Sequence, residues 1–233
     1  MSTTPKVIGV LGGMGPEATV DFMAKVIALT PAEKDQDHIR MLVDHNPTVP
    51  NRQTAILDNG EDPGPALAEM AKRLEQAGAD MLVIPCNTAY VFAASVREAV
   101  NIPLISIIDV TIDAVLQRDS SIGSVGVLAT NGCLQGGVYQ EALQSRSLSA
   151  VLPSGDELAE LMVLVNKIKA GDKSTSVAAA MRELANALVA RGAEAIVAGC
   201  TEIPLVLDES MLSVALISST DALAEETVRR ARG

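Results

Sequence analysis

The sequence predicts an α/β chain of two similar lobes on buried parallel sheets, and three observations carry that expectation. Its apolar runs are short and do not alternate, as in Lys6 to Leu11 (KVIGVL) and Met81 to Ile84. Strands buried on both faces of a parallel sheet read this way. Amphipathic helical stretches separate the runs. Finally, three blocks recur in the same order. Ile8-Gly9-Val10-Leu11 compares with Val125-Gly126-Val127-Leu128, an offset of 117 (126 − 9). Cys86 and Cys200 end matching strands, an offset of 114 (200 − 86). Leu104-Ile105-Ser106 with Asp109 compares with Leu216-Ile217-Ser218 with Asp221, an offset of 112 (216 − 104). A nearly constant offset over three blocks argues for internal duplication. The expected division is 1–103 plus 213–233 for the first lobe, carrying Cys86, and 104–212 for the second, carrying Cys200.

In chain order, the strand Lys6 to Leu11 leads through Gly12-Gly13-Met14-Gly15 into a helix opened by Pro16 and Glu17 and running to about Leu29. Proline in the first turn and an acid near the amino end suit a helix start. The glycines do not fall in the G-x-G-x-x-G register of a dinucleotide site, so close backbone approach to another anion is the better reading. His38 to Asp44 is the next strand, and Asn46 to Thr54, rich in turn formers, is a loop. Arg52 lies in that loop. It is either a solvated surface cation or a carboxylate ligand on the side of the sheet where α/β proteins bind ligands. Pro63 to Gln76 is an amphipathic helix stopped by Gly78. After the first cysteine strand come a helix from Ala89 to Val100, a strand from Ile102 to Ile108 and a helix from Asp109. The second half restarts at Ser124 to Leu128. It continues with helices Asp156 to Ala170 and Ser174 to Arg191, the second cysteine strand, and a last helix from Thr220 to Arg232 that is expected to pack back on the first lobe. Lys167 and Lys169 close a helix, where cations complement the dipole; either could also face the cleft.

The two cysteine stretches, Gly78 to Thr88 and Gly192 to Glu202, each carry a glycine, an acid, an apolar run and then the cysteine. Ligands of open α/β sheets bind outside the carboxyl ends of strands. A cysteine there, followed by a helix, is expected to have its pKa lowered toward thiolate by the helix's positive end. Asn87, Thr88 and Thr201 add hydrogen-bond donors. A lone nucleophilic cysteine would need a base, usually histidine, and His38 and His45 are the only histidines, both far from either thiol in sequence. Two equivalent thiols on one cleft suit a two-base racemase or epimerase, in which one removes a proton from a carbon and the other returns one to the opposite face. The bland alternative is a pair of inert buried thiols. Cys133 has no counterpart and is read as a bystander.

Composition sets the limits. Hydrophobic residues form 48% of the 233, with no Trp, two Tyr and two Phe, so the core must be aliphatic. A net charge of −11 disfavours nucleic acid and anionic membrane surfaces as partners. Three widely spaced cysteines without a C-x-x-C pair, and no apolar stretch near the roughly 20 residues of a membrane span, lead us to expect a cytoplasmic protein without a signal peptide or metal site.

Gly12-Gly13-Met14, Pro85-Cys86-Asn87-Thr88 and Gly199-Cys200-Thr201-Glu202-Ile203 resemble the motifs of the aspartate/glutamate racemase superfamily, particularly its aspartate racemase branch. The similarity spans essentially the whole chain. It implies two pseudo-symmetric, Rossmann-like lobes, doubly wound with mainly parallel sheets, and an active site in the cleft between them. It also implies no pyridoxal phosphate or other cofactor, no metal, and a homodimer. By resemblance Cys86 and Cys200 are the acid/base pair, each serving one enantiomer. Asn87, Thr88, Thr130 and Thr201 hold the α-carboxylate and amino group, Arg52 grips a side-chain carboxylate, and Lys169 (or Lys167) is a cleft lysine. Met14 and Glu202 belong to the motifs that line the substrate. The glutamate branch carries an Asp-Ser-Gly turn where this chain has Gly12-Gly13-Met14, and a histidine where it has Glu202, so the expected substrate is aspartate, with glutamate open. Racemisation of another amino acid or hydantoin, isomerisation of maleate, and non-catalytic binding of a small anion are the alternatives.

Overall fold

A computed structural model describes residues 5–233; Met1 to Thr4, the start of the segment expected to lead into the first strand, lie outside the described residues. The described residues form two parallel sheets. In the first, β1 (Ile8–Gly12) lies between β2 (Met41–His45) and β3 (Met81–Val83), with Ile8 opposite Met41 and Met81. A bridge from Leu82 to Leu104 adds a fourth position beside β3. In the second, β4 (Ser124–Leu128) lies between β5 (Ser149–Val151) and β6 (Ala195–Ala198), and β7 (Ala215–Ser218) flanks β6. Both sheets therefore run second, first, third, fourth, which places a topological switch point beside β1 and again beside β4.

The duplication extends to side chains. A Cβ on Gly9 would stand 2.6 Å from Leu82, 3.0 Å from Ala79 and 3.2 Å from Leu74; one on Gly126 would stand 2.5 Å from Ile196 and 3.1 Å from Ala193 and Leu188. In each lobe a glycine in the central strand admits the neighbouring strand and helix at the same three places. The acid of each cysteine stretch has a matching task. Asp80 accepts a hydrogen bond from the Val7 amide at 2.7 Å, and Glu194 from those of Gly123 and Ser124 at 2.6 and 2.9 Å. Gly78 and Gly192 follow their helices with φ of 94° and 96°, the left-handed cap that glycine adopts without strain.

The helices are α1 (Pro16–Leu29), α2 (Arg52–Leu57), α3 (Gly64–Gln76), α4 (Ala93–Ala99), α5 (Ile107–Arg118), α6 (Asn131–Gln135), α7 (Val138–Gln144), α8 (Gly155–Lys169), α9 (Thr175–Ala190) and α10 (Ser219–Arg232). Several differ from expectation. The 46–54 loop ends early, because the Asn51 side chain accepts from the amides of Gln53 and Thr54 and opens α2 at Arg52. The Ile102 to Ile108 strand is reduced to the Leu104 bridge. Pro103 has no amide proton to give, and Ser106 caps α5 by accepting from the Asp109 amide. The segment expected as a helix from Ala89 starts as a 3-10 turn, Thr88–Phe92. β5, α6 and α7 had no counterpart in the sequence reading.

The expected lobe boundaries at 103/104 and 212/213 cut through strand pairings. Leu104 bridges within the first sheet, and β7 pairs with β6 in the second. The helix after β7, α10, packs on α1 and on α5. Among the described residues no helix is long and apolar enough to cross a membrane.

Candidate active site

Each cysteine sits just beyond a strand whose residues are wholly buried, so its position is set by the sheet. After β3 the Cys86 amide donates to the Ile84 carbonyl at 2.8 Å, a three-residue turn around Pro85 that ends the strand. After β6 the Gly199 amide still donates to Leu128, and the Cys200 carbonyl accepts from Ile203 as the chain enters a 3-10 turn, Ile203–Leu205. No α-helix begins at either cysteine; short 3-10 turns follow both. After Cys86 the 3-10 turn runs straight on into α4, whereas only the short turn follows Cys200, so the helix expected beyond the second thiol is missing.

Both cysteines open onto one cavity of about 180 Å³ at the carboxyl ends of the two sheets. All ten residues singled out in the sequence line it. Met14 comes from the turn after β1, where Gly13 has a φ of 94° and a Cβ would meet the Asn46 carbonyl carbon at 2.4 Å. Only glycine allows the β1 and β2 turns to close together there. Cys86, Asn87 and Thr88 follow β3, Thr130 follows β4, and Cys200, Thr201 and Glu202 follow β6. Arg52 opens α2, and Lys169 ends α8.

Much of the polar lining is already paired. Thr88 Oγ1 and Thr130 Oγ1 are 2.8 Å apart, and Gln53 Nε2 donates to Thr130 Oγ1 at 2.7 Å. Arg52 Nη1 donates to the carbonyls of Val49 and Pro50 at 2.9 and 2.8 Å. Among the described residues its Nη2 and Nε have no protein acceptor, which leaves one edge of the guanidinium for an anion. Lys169, Asn166 and Met162 fall on one face of α8, at the i, i+4, i+7 spacing of a helix stripe, and all three line the cavity. Lys167 does not line it. Gln53, Asn166, Met162, Asn51 and Gly199 were not anticipated. The α8 stripe was readable once its register was known, and Gln53 adjoins Arg52.

Glu202 is the electrostatic centre of the second-lobe side. The residue is 4% exposed, and its carboxylate accepts from Cys200 Sγ at 3.0 Å and Thr201 Oγ1 at 3.2 Å and lies 3.8 Å from Lys169 Nζ. Burial, and then the Glu202 charge, push the Cys200 thiol well above its usual range, with Lys169 opposing. This reverses the lowered pKa expected at Cys200. For Lys169, desolvation pulls the pKa down, but Glu202 and then the two cysteines outweigh it, and the net shift is upward. Cys133 lies outside the cavity and is wholly buried, its thiol raised by desolvation.

Residues 11–227 match the Asp/Glu/Hydantoin racemase family. The chain belongs to that family. As one of its racemases it is an isomerase, and relatives of several substrate types are similar to it. A broad-specificity amino-acid racemase of Bacillus subtilis is 29% identical over 228 residues, covering 95% of this chain and 96% of the relative. The solved aspartate racemase of Picrophilus torridus superposes with a TM-score of 0.85 at 30% identity, covering 97% of this chain and 94% of that one. A glutamate racemase of Bacillus anthracis gives 0.69 at 25% identity, covering 96% and 80%. This member of the family thus keeps the fold of the aspartate and glutamate enzymes over nearly its full length.

Proposed function

We propose that this amino-acid racemase acts on aspartate, without a cofactor, by a two-base mechanism in which Cys86 and Cys200 are the opposed acid and base. What supports this reading is that both thiols, one per duplicated half, open on one small polar cavity that also holds the free edge of Arg52 and the ammonium of Lys169. A thiolate removes the α-proton, the carbon–hydrogen bond breaks, and its electron pair is drawn toward the α-carboxylate. The opposite thiol then gives its proton to the other face of the carbon. The cations Arg52 and Lys169 and the hydroxyls of Thr88, Thr130 and Thr201, all lining the cavity, stabilise the charge that develops. Burial and the Glu202 charge favour the protonated form of Cys200, which suits it to give the proton in one direction. The reverse direction starts from the opposite protonation of the pair.

Arg52 carries the preference for a second carboxylate, since an apolar side chain would leave it without a partner. The full-length likeness to a broad-specificity racemase favours, as a second reading, a wider range that includes glutamate.

The test is incubation with L-aspartate, and separately D-aspartate, in deuterated buffer under reducing conditions. Proton NMR follows the α-proton, and chiral chromatography follows the enantiomer. Exchange and interconversion from both sides are expected. Exchange of glutamate or another amino acid with aspartate inert would correct the role given to Arg52. If no amino acid exchanges, the racemase reading gives way to binding of a small anion.

A further inference from the structure

The two thiols come from different sheets, yet the two-base reading needs them on opposite faces of one carbon. Tyr139, at the start of α7, spans their turns. It is wholly buried, and its O–H donates to Asn87 Oδ1 at 2.7 Å. Asn87 directly follows Cys86. The same ring lies against Gly199, which directly precedes Cys200; a Cβ there would stand 2.8 Å from Tyr139 Cε2 and 3.2 Å from Cζ. Glycine at 199 is what admits the ring, and the matching place before Cys86 is Pro85. Asn87 is held from its other end too, since Nδ2 donates to Ser219 Oγ at 3.0 Å in the first turn of α10. The two bonds anchor the Asn87 amide at both ends, to the Tyr139 phenol and the Ser219 hydroxyl. The phenol also faces Thr111 of α5. One aromatic side chain therefore touches both cysteine turns, and a buried polar cluster fixes where it sits.

We infer that Tyr139 is a positioning residue for racemisation. Its ring on Gly199 and its hydroxyl on Asn87 hold the Cys200 and Cys86 turns at the spacing from which either thiol reaches the same carbon. The inference rests on the two-base reading above. Once one thiol has taken the α-proton, the carbon is protonated either by the opposite thiol, with inversion, or by the same thiol, with retention. Retention marks the substrate with deuterium when the thiol has first exchanged the proton it took with the solvent, which a misplaced opposite thiol gives it time to do. The spacing of the turns governs that partition, whereas the fraction of folded protein does not.

The experiment compares Tyr139→Phe, which keeps the ring and removes the hydroxyl, with the unaltered protein on L-aspartate in deuterated buffer. The readouts are kcat, KM, and the ratio of α-deuterium in recovered L-aspartate to that in the D-aspartate formed at early conversion. A fall in kcat of about 10- to 100-fold, on the scale of a displacement of up to about 1 Å, is expected. KM should hardly move, and the ratio should rise. If thermal melting shows that Tyr139→Phe does not fold, Ser219→Ala, which releases the other end of Asn87 and leaves the ring in place, should raise the same ratio. Unchanged kcat in Tyr139→Phe overturns the inference, as does a lower kcat with an unchanged ratio. Unaltered protein that exchanges no amino acid is a different result and removes the racemase reading itself.

Discussion

A carboxylate 3.0 Å from a thiol, as Glu202 is from Cys200, adds a charge penalty to the desolvation that already opposes ionising that sulfur. The sign can be checked from both sides. Glu202→Gln removes the negative neighbour and should lower the Cys200 pKa. Lys169→Ala removes the opposing cation and should raise it. The pH dependence of Cys200 alkylation, followed by peptide mass spectrometry, measures both shifts. An unmoved midpoint in Glu202→Gln would mean that burial alone holds the thiol protonated. Cys86→Ser and Cys200→Ser should each lower racemisation by about 10²- to 10⁴-fold, the usual worth of a positioned acid or base, as read by chiral chromatography. The cysteines were legible in the sequence because duplication repeated their surroundings. The protonation of Cys200 was not, because sequence order places Glu202 two residues on without saying that its side chain folds back onto the sulfur.

Helices and strands repeat between the lobes down to single close approaches, so matched substitutions should cost alike. Gly9→Ala and Gly126→Ala each push a methyl group to within about 2.6 Å of a neighbouring strand's side chain. Overpacking of this kind costs about 1–3 kcal/mol. Urea unfolding should place the two variants close together; a large gap would mean that one lobe relaxes where the other cannot. The α8 register gives a second contrast. Lys169→Ala should lower kcat/KM for aspartate by about 10- to 100-fold, the worth of a hydrogen bond to a charged group. Lys167→Ala, on a face turned from the cavity, should leave it nearly unchanged. The strands with wholly apolar runs were legible, and so were the long amphipathic helices. What was missed is short or capped by local chemistry. β5, at Ser149–Val151, has two exposed residues of three and no apolar run to announce it. α2 depends on the Asn51 side chain. The 102–108 run is apolar enough for a strand, but Pro103 and the Ser106 cap divide it.

The molecule as a whole buries several groups that release protons only at high pH. Desolvation raises the pKa of Cys133, Cys200, Tyr90 and Tyr139 above their usual values. In the unfolded chain a thiol ionises near about 8.5 and a phenol near about 10. Between those values and the folded ones, the folded state binds more protons than the unfolded state, so stability falls as pH rises. The contribution of each thiol is fully present below about pH 8.5 and is lost above it. Once the unfolded thiol is ionised, the loss is about 1.4 kcal/mol per pH unit for each. Cys133 separates this effect from catalysis, because it is wholly buried away from the cavity. Urea unfolding from pH 7.5 to 10, under reducing conditions, should show the unaltered protein losing stability more steeply than Cys133→Ala. The variant starts lower, because a buried side chain has been cut back, but it has one fewer thiol to keep protonated. The two curves should therefore converge toward pH 10. Parallel curves would show that Cys133 is not a source of the alkaline loss, and would shift it to Cys200 and the two tyrosines.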